Sequence, residues 1–203
     1  MELSTEFYDT QHNSFSATRF CLWDVVKNFG EHFKSSSYVL DAGCGNGKNM
    51  KYFIDKCNIV GIDKSSNLVQ ICKNNKFNVT VSHVENISYP NNTFDYIICI
   101  AVIHHIEQEE MRISAIRDML RVLKPGGKIL LTVWAFEPDE YSIKKKFSIG
   151  DNFIGFNQSQ KSRYYYIYDK KGFAELCYKA YHNVDIFWER GNWNAIFTKG
   201  LYD

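Results

Sequence analysis

The residues best suited to chemistry lie in one short run, Asp41-Ala42-Gly43-Cys44-Gly45-Asn46-Gly47. Three apolar residues, Tyr38 to Leu40, stop at a carboxylate, and glycines follow at every second position. Glycine lacks a Cβ, so backbone there can touch a ligand and φ can turn positive. A helix that starts after such a turn points its first N–H groups at whatever is bound. The arrangement is that of a strand turning into a helix around a nucleotide-like cofactor. The dinucleotide form, G-x-G-x-x-G, needs its third glycine at position 48, counting from Gly43. Lys48 stands there, which argues against a nicotinamide-dependent oxidoreductase.

Other reactive side chains fall where strands of an α/β sheet would end. Asp63 closes the run Asn58–Asp63, 22 residues after Asp41, and a carboxylate there accepts from ribose hydroxyls in dinucleotide folds. Lys64 and Ser65 follow it. Glu85-Asn86 come after a third strand, and Ile100-Ala101 close a fourth. His104-His105 follow that fourth strand and offer a hydrogen-bonding pair or a general base. Trp134 ends a fifth strand. Arg19, Arg163 and Arg190 carry planar forks that suit a carboxylate or a phosphate, with Tyr164, Asn192 and Trp193 beside the last two. From 141 to 171 there is a local excess of five positive charges, with Tyr164-Tyr165-Tyr166 inside it. Basic residues among aromatics suit an unstacked base and its phosphates; a solvated loop with core aromatics has the same composition.

These residues need a scaffold, and the hydrophobic pattern supplies one. Phe20, Trp23, Val26, Phe29 and Phe33 recur at steps of three or four, which predicts a helix over 16–33. Strands are predicted at 38–41, 58–63, 78–82, 94–102 and 128–135. Helices are predicted from the glycine turn to about 56, over 66–75 after a Ser65 cap, and over 107–123, stopped by Pro125-Gly126-Gly127. The run FDYIICIAV reads as a strand buried on both faces, as in a parallel sheet. Residues 136–162 have weak periodicity and read as a partly mobile insertion. A helix over 169–181 precedes strands at 184–188 and 193–198, separated by the turn Glu189 to Asn192. The fold class expected is α/β: a doubly wound, mostly parallel seven-stranded sheet with an antiparallel C-terminal edge. One domain is expected over 1–203, comprising an N-terminal helical segment (1–37), a cofactor-binding core (38–135), the insertion (136–162) and a C-terminal helix and hairpin (163–203).

Composition narrows the class. A chain of 203 residues, 45% apolar and 23% charged, suits one soluble globular domain. No apolar run reaches membrane-spanning length, and the polar N-terminus lacks a signal-peptide core. Six scattered cysteines, with no C-x-x-C pair and no zinc spacing, read as buried thiols in a reducing compartment. A cytoplasmic protein with no membrane contact and no metal is expected.

The pattern Asp41-x-Gly43-x-Gly45-x-Gly47 resembles the S-adenosylmethionine loop of class I methyltransferases, whose doubly wound sheet is Rossmann-like. That resemblance puts Asp41 near the methionine ammonium, Asp63 on the ribose and Glu85 near the adenine amino group. Gly43, Gly45 and Gly47 allow close backbone approach, and Lys64, Ser65, Asn86, Ile100 and Ala101 complete the cofactor site. Lys124-Pro125-Gly126-Gly127 resembles the family's turn before strand five. Three further segments are similar to eukaryotic tRNA methyltransferases that esterify 5-carboxymethyluridine at the wobble position: FSATRFCLW at 15–23, IAVIHH at 100–105, and the tail holding Arg163-Tyr164-Tyr165 and Arg190-Gly191-Asn192-Trp193. The resemblance runs from about Phe7 to Thr198. It implies that Arg19, His104, His105 and Trp134 do the catalytic work, and that Arg163, Tyr164, Arg190, Asn192 and Trp193 contact substrate. Its partners would be a tRNA anticodon loop and a small zinc-binding activator subunit, forming a heterodimer. The chain departs from the family where Glu85-Asn86 replaces an Asp-Gly or Asp-Ala pair, and where the insertion is short. A small-molecule class I methyltransferase, acting on a quinone precursor or a carboxylic acid, fits the glycine loop, Asp63 and Glu85 equally well. A non-catalytic cofactor-binding or RNA-binding module fits less well, because the loop and its carboxylates are intact.

Overall fold

The structure, a computed structural model, describes residues 22–137, 147–155 and 162–203. Its order is α1 (Asp24–Phe29), β1 (Tyr38–Ala42), α2 (Lys48–Phe53), β2 (Asn58–Asp63), α3 (Ser66–Asn74), β3 (Val79–Val81) and β4 (Phe94–Ile100). There follow α4 (Glu109–Val122), β5 (Leu123–Trp134), β6 (Gly150–Gly155), β7 (Ser162–Ile167), α5 (Lys170–Ala180), β8 (Val184–Glu189) and β9 (Asn192–Thr198). Seven strands form one sheet in the order β3-β2-β1-β4-β5-β9-β8. Strands β1 to β5 pair in parallel, and β9 runs antiparallel to both of its neighbours. The chain therefore has the α/β fold expected from its patterning, with the antiparallel element at the C-terminal edge.

Period-two alternation divides the core between the two faces of this sheet. Leu40, Ile97, Cys99, Ile129 and Leu131 point to one face, packing with Ile116 and Met119 of α4 and Phe173 and Leu176 of α5. Val39, Ile98 and Leu130 point to the other, packing with Val26 and Phe29 of α1, Met50 and Phe53 of α2, and Val69 and Cys72 of α3. Two helices start on side-chain caps: Ser65 Oγ accepts from the Leu68 N–H at 3.3 Å, and Asp169 Oδ1 accepts from the Gly172 N–H at 2.8 Å. Each satisfies a backbone donor that the first turn leaves open.

The structure differs from the sequence reading in four places. The 136–162 segment, expected to be irregular, holds β6, which pairs with β7 in register from Gly150↔Ile167 to Gly155↔Ser162. Asp151-Asn152-Phe153-Ile154 has too few strand formers for local propensity to reveal it; the partner strand supplies the order. Strand β5 starts at Leu123 and runs through Pro125-Gly126-Gly127. Lys199 holds it there, accepting from the Gly126 N–H at 2.9 Å and donating to the Gly127 carbonyl at 3.0 Å. The predicted N-terminal helix is seen only as α1, followed by a 3₁₀ turn over Gly30–His32; its portion before residue 22 lies outside the described residues. The C-terminal turn tightens to Arg190-Gly191, with φ of 46° and 73°, the twist that suits a two-residue hairpin.

Candidate functional site

Strand order reverses between β1 and β4, and ligands in such sheets bind beyond the strands' carboxyl ends at that point. A cleft of about 880 Å³, open to solvent, lies there. Gly43, Gly45, Asp63, Lys64, Glu85, Ile100, Ala101 and His105 line it, with Trp23, Lys48, Asn49 and Val102.

The glycine turn is built by backbone and by one carboxylate. The N–H groups of Gly43 and Cys44 both donate to the Ile62 carbonyl, at 2.8 and 2.9 Å. Gly43 has φ +80°, and a Cβ on it would lie 2.4 Å from Val102 Cγ2, so no other residue fits. Asp63 then fastens the turn: its Oδ2 accepts from the Gly45 N–H and its Oδ1 from the Ser65 N–H, both at 2.9 Å. The carboxylate that shapes the loop also lines the cleft, at the strand end where ribose hydroxyls are bound in related sheets.

Asp41 lies beneath the turn and is fully buried. Burial pushes its carboxyl up to about 7, against the downward pull of a 3.5 Å hydrogen bond from Asn49 and the charge of Lys48. Its Oδ2 has no hydrogen-bond partner among the described residues. A buried carboxylate of this kind calls for a cation or donor from outside the fold. Together with a turn that admits backbone contact and a carboxylate at the end of β2, this fits S-adenosylmethionine, which carries an ammonium and a ribose. Glu85, with a side chain only 9% exposed, sits 3.9 Å from His83 Nδ1. Asn86 is exposed and its backbone closes a turn on His83. Gly47 is the left-handed N-cap of α2, and Ser65 is the buried cap of α3.

The second half of the site hangs from β4, β5 and the β6–β7 hairpin. Ala101 has φ +58°, and its N–H donates to the Thr132 carbonyl and hydroxyl at 3.1 Å each; a non-glycine residue in this region stores strain. The 3₁₀ turn Ile103–His105 follows. His105 Nδ1 donates to the Tyr164 carbonyl at 3.0 Å. A carbonyl can only accept, so in the neutral ring Nε2 is the lone-pair nitrogen. His104 Nδ1 instead accepts from the Trp134 N–H at 3.1 Å. Trp134 stacks on Tyr165 at 4.5 Å and 11°, and Tyr165 packs edge-on to His105 at 4.5 Å. The Arg163 guanidinium lies 5.2 Å from the Tyr165 ring centroid and is buried.

The remaining sequence candidates sit further out. Tyr164 is buried, its hydroxyl donating to Asp151 at 2.6 Å. Arg190 is exposed and pairs with Asp24 at 2.8 Å. Asn192 closes its own turn by donating to the Arg190 carbonyl at 2.9 Å, and Trp193 donates to Glu137 at 2.8 Å. Arg19 lies outside the described residues. Sequence reasoning missed Arg112, which is 2% exposed and donates to the Ile106 and Glu107 carbonyls at 2.8 and 3.1 Å. Its guanidinium also covers the Tyr166 ring at 4.1 Å. An arginine on an amphipathic helix carries no mark of this. Among the described residues no helix is long and apolar enough to cross a membrane.

A family profile described as a methyltransferase domain matches residues 40–131. The chain is 41% identical over 141 residues to a tRNA (carboxymethyluridine(34)-5-O)-methyltransferase of Arabidopsis thaliana, covering 70% of this chain and 35% of that protein. It is 36% identical over 180 residues to a protein of Encephalitozoon cuniculi named as a candidate methyltransferase, covering 84% of this chain and 82% of the relative. In structure it is similar to a chain from the complex of the Trm112 methyltransferase activator and a methyltransferase of Haloferax volcanii. That likeness has a TM-score of 0.72 at 13% identity, over 97% of each chain. The chain spans 22–35% of the length of the first relatives named for carboxymethyluridine methylation.

Proposed function

Given that the chain belongs to the methyltransferase family, we propose that it uses S-adenosylmethionine to methylate the carboxylate of 5-carboxymethyluridine at the wobble position of tRNA. The observation that carries this reading is 41% identity to a relative of that named activity, with Arg163, Tyr164 and Arg190-Gly191-Asn192-Trp193 present in this chain. When bound, the cofactor supplies a sulfonium-linked methyl group open to in-line displacement. A carboxylate acceptor, with a pKa of about 4, is ionised at neutral pH and needs no base. The chain's task is to align, exclude water and neutralise, and orientation alone is worth roughly 7–11 kcal/mol.

In this reading Asp41 takes the amino-acid ammonium, Asp63 the ribose, and Glu85 the adenine amino group. Gly43, Gly45 and Gly47 supply close backbone, and Lys64, Ser65, Asn86, Ile100 and Ala101 shape the remaining wall. His105 faces the acceptor base through Nε2, a role supported by its place in the cleft lining and its Nδ1 bond to Tyr164. His104, locked to the Trp134 backbone, sets the turn that presents it. Trp134 and Tyr165 form an aromatic wall. Arg19 holds the uridine carboxylate or a neighbouring phosphate, and Arg163, Tyr164, Arg190, Asn192 and Trp193 contact the anticodon loop. A small zinc-binding activator subunit completes a cytoplasmic heterodimer, as the family resemblance implies; the activator complex of the Haloferax structure supports a partner of that kind.

The test is mass spectrometry of wobble nucleosides after incubating the protein with hypomethylated tRNA, with and without the activator. Formation of the methyl ester supports the reading; an unmodified carboxymethyl nucleoside under both conditions overturns it. Arg19→Ala is expected to leave cofactor binding intact and to remove ester formation. A small-molecule acceptor is the second reading, favoured by the place of His105 in the cleft lining, where an imidazole suits a base for a carbon or amine nucleophile. It predicts turnover of free acids or quinone precursors and none of tRNA.

A further inference from the structure

We infer that Lys48 binds the carboxylate of the cofactor's amino-acid end, and that the Trp23 indole is the platform that positions its ammonium. The inference rests on the S-adenosylmethionine reading of the cleft and assigns a residue which that reading leaves out. Lys48 is the first residue of α2 and lines the cleft, and its Nζ lies 5.2 Å from the centre of the Trp23 ring, which lines the same cleft. A lysine ammonium over an indole face is attracted by the ring quadrupole. Trp23 thereby limits the freedom of a four-carbon side chain before any ligand arrives, which lowers the cost of fixing it on binding.

An α-amino acid carries its ammonium and carboxylate on one carbon, so a site for it needs an anion and a cation side by side. Asp41, buried and with one oxygen unsatisfied among the described residues, is the anion. Among the described lining residues the lysines and arginines are Lys48 and Lys64. Lys64 follows Asp63 and so belongs to the ribose end. Lys48 belongs to the Asp41 end: Asn49, the next residue, donates to Asp41, and the Lys48 charge is close enough to pull the Asp41 carboxyl downward. This also explains why position 48 is not glycine. The dinucleotide loop uses a third glycine there for helix–strand packing, whereas here the position carries a charge for a ligand's carboxylate.

The experiment is isothermal titration of the whole chain with two ligands, S-adenosylmethionine and its decarboxylated analogue, which keeps the ammonium, sulfonium and adenosine. Lys48→Met is expected to weaken S-adenosylmethionine about tenfold while changing affinity for the analogue by less than about twofold. Trp23→Leu should show the same split at about threefold, since it acts through Lys48. Retained binding of the analogue shows that each variant is folded with its loop intact. Equal loss for both ligands, or no loss for either, overturns the inference. If the wild-type chain binds neither ligand, the cofactor reading itself fails and takes this assignment with it.

Discussion

The two halves of the cleft are made differently. At the ends of β1 and β2, the wall is backbone shaped by glycine and held by one carboxylate, all within Asp41–Ser65. At the end of β4, it is side chains set against distant segments: His105 on the Tyr164 carbonyl, His104 on the Trp134 backbone, Trp134 on Tyr165. The first half needs few partners outside its own 25 residues. The second exists only once β5 and the β6–β7 hairpin have come to the sheet. A cofactor shared by many enzymes suits the local solution, and an acceptor that differs between enzymes suits the one assembled at long range.

The first half should fail through charge and satisfaction. Asp41 gives the largest effect. Its carboxyl is raised from an ordinary 3.8 to about 7 by burial, so the folded chain holds a proton that the unfolded chain has lost between those values. The contribution of Asp41 to the stability of the cofactor-free protein is therefore full below about pH 4, falls as pH rises toward 7, and levels above it, by on the order of 4 kcal/mol. Asp41→Asn should remove that slope, as urea unfolding at pH 4.5 and 8 would show; an unchanged slope refutes the assignment. Asp63→Ala is next. It leaves the N–H groups of Gly45 and Ser65 without their acceptor and removes the carboxylate proposed for the ribose. Cofactor affinity should drop at least a hundredfold, about 3 kcal/mol, and unchanged affinity in titration would sink the ribose role.

Legibility in the sequence follows the same division. The glycine turn could be read because each glycine answers a local demand, a positive φ at Gly43, Gly45 and Gly47, and Asp63 because strand-end position is set by a simple apolar run. The order of elements was legible for the same reason, since alternation and capping are local. The β6–β7 hairpin was not, because its order comes from cross-strand pairing. Nor were the roles of Arg112 and Tyr165, because a buried arginine and a stacked tyrosine are defined by partners 50 or more residues away in some cases, as Arg112 and Tyr164 are. Trp23 and Lys48 fall between: their types were visible, but their contact was not.

The second half should fail through packing, with cofactor binding spared. Arg112→Met removes the donor to the Ile106 and Glu107 carbonyls, just after the turn that carries His105, and leaves the buried Ile106 carbonyl without it. A stability loss of about 2–3 kcal/mol is expected by denaturant unfolding, with acceptor methylation down about tenfold and the dissociation constant for S-adenosylmethionine unchanged. A matching loss of cofactor affinity would show that the two halves are not independent.

The smallest effect belongs to Arg190, and it separates fold from function most cleanly. The side chain is 72% exposed, and its ion pair with Asp24 is 38% exposed on the other side, so solvent screens most of its worth. Its φ of +46° favours glycine or asparagine over arginine. Nothing in the fold asks for arginine at this position. Arg190→Asn keeps the turn and removes the charge, so the melting temperature should move by no more than about 2 °C. If Arg190 meets a tRNA phosphate, binding should weaken alike for all tRNA sequences and the salt dependence should lose about one unit of slope. An unchanged slope would place the tRNA elsewhere and confine acceptor contacts to the wall around His105 and Tyr165.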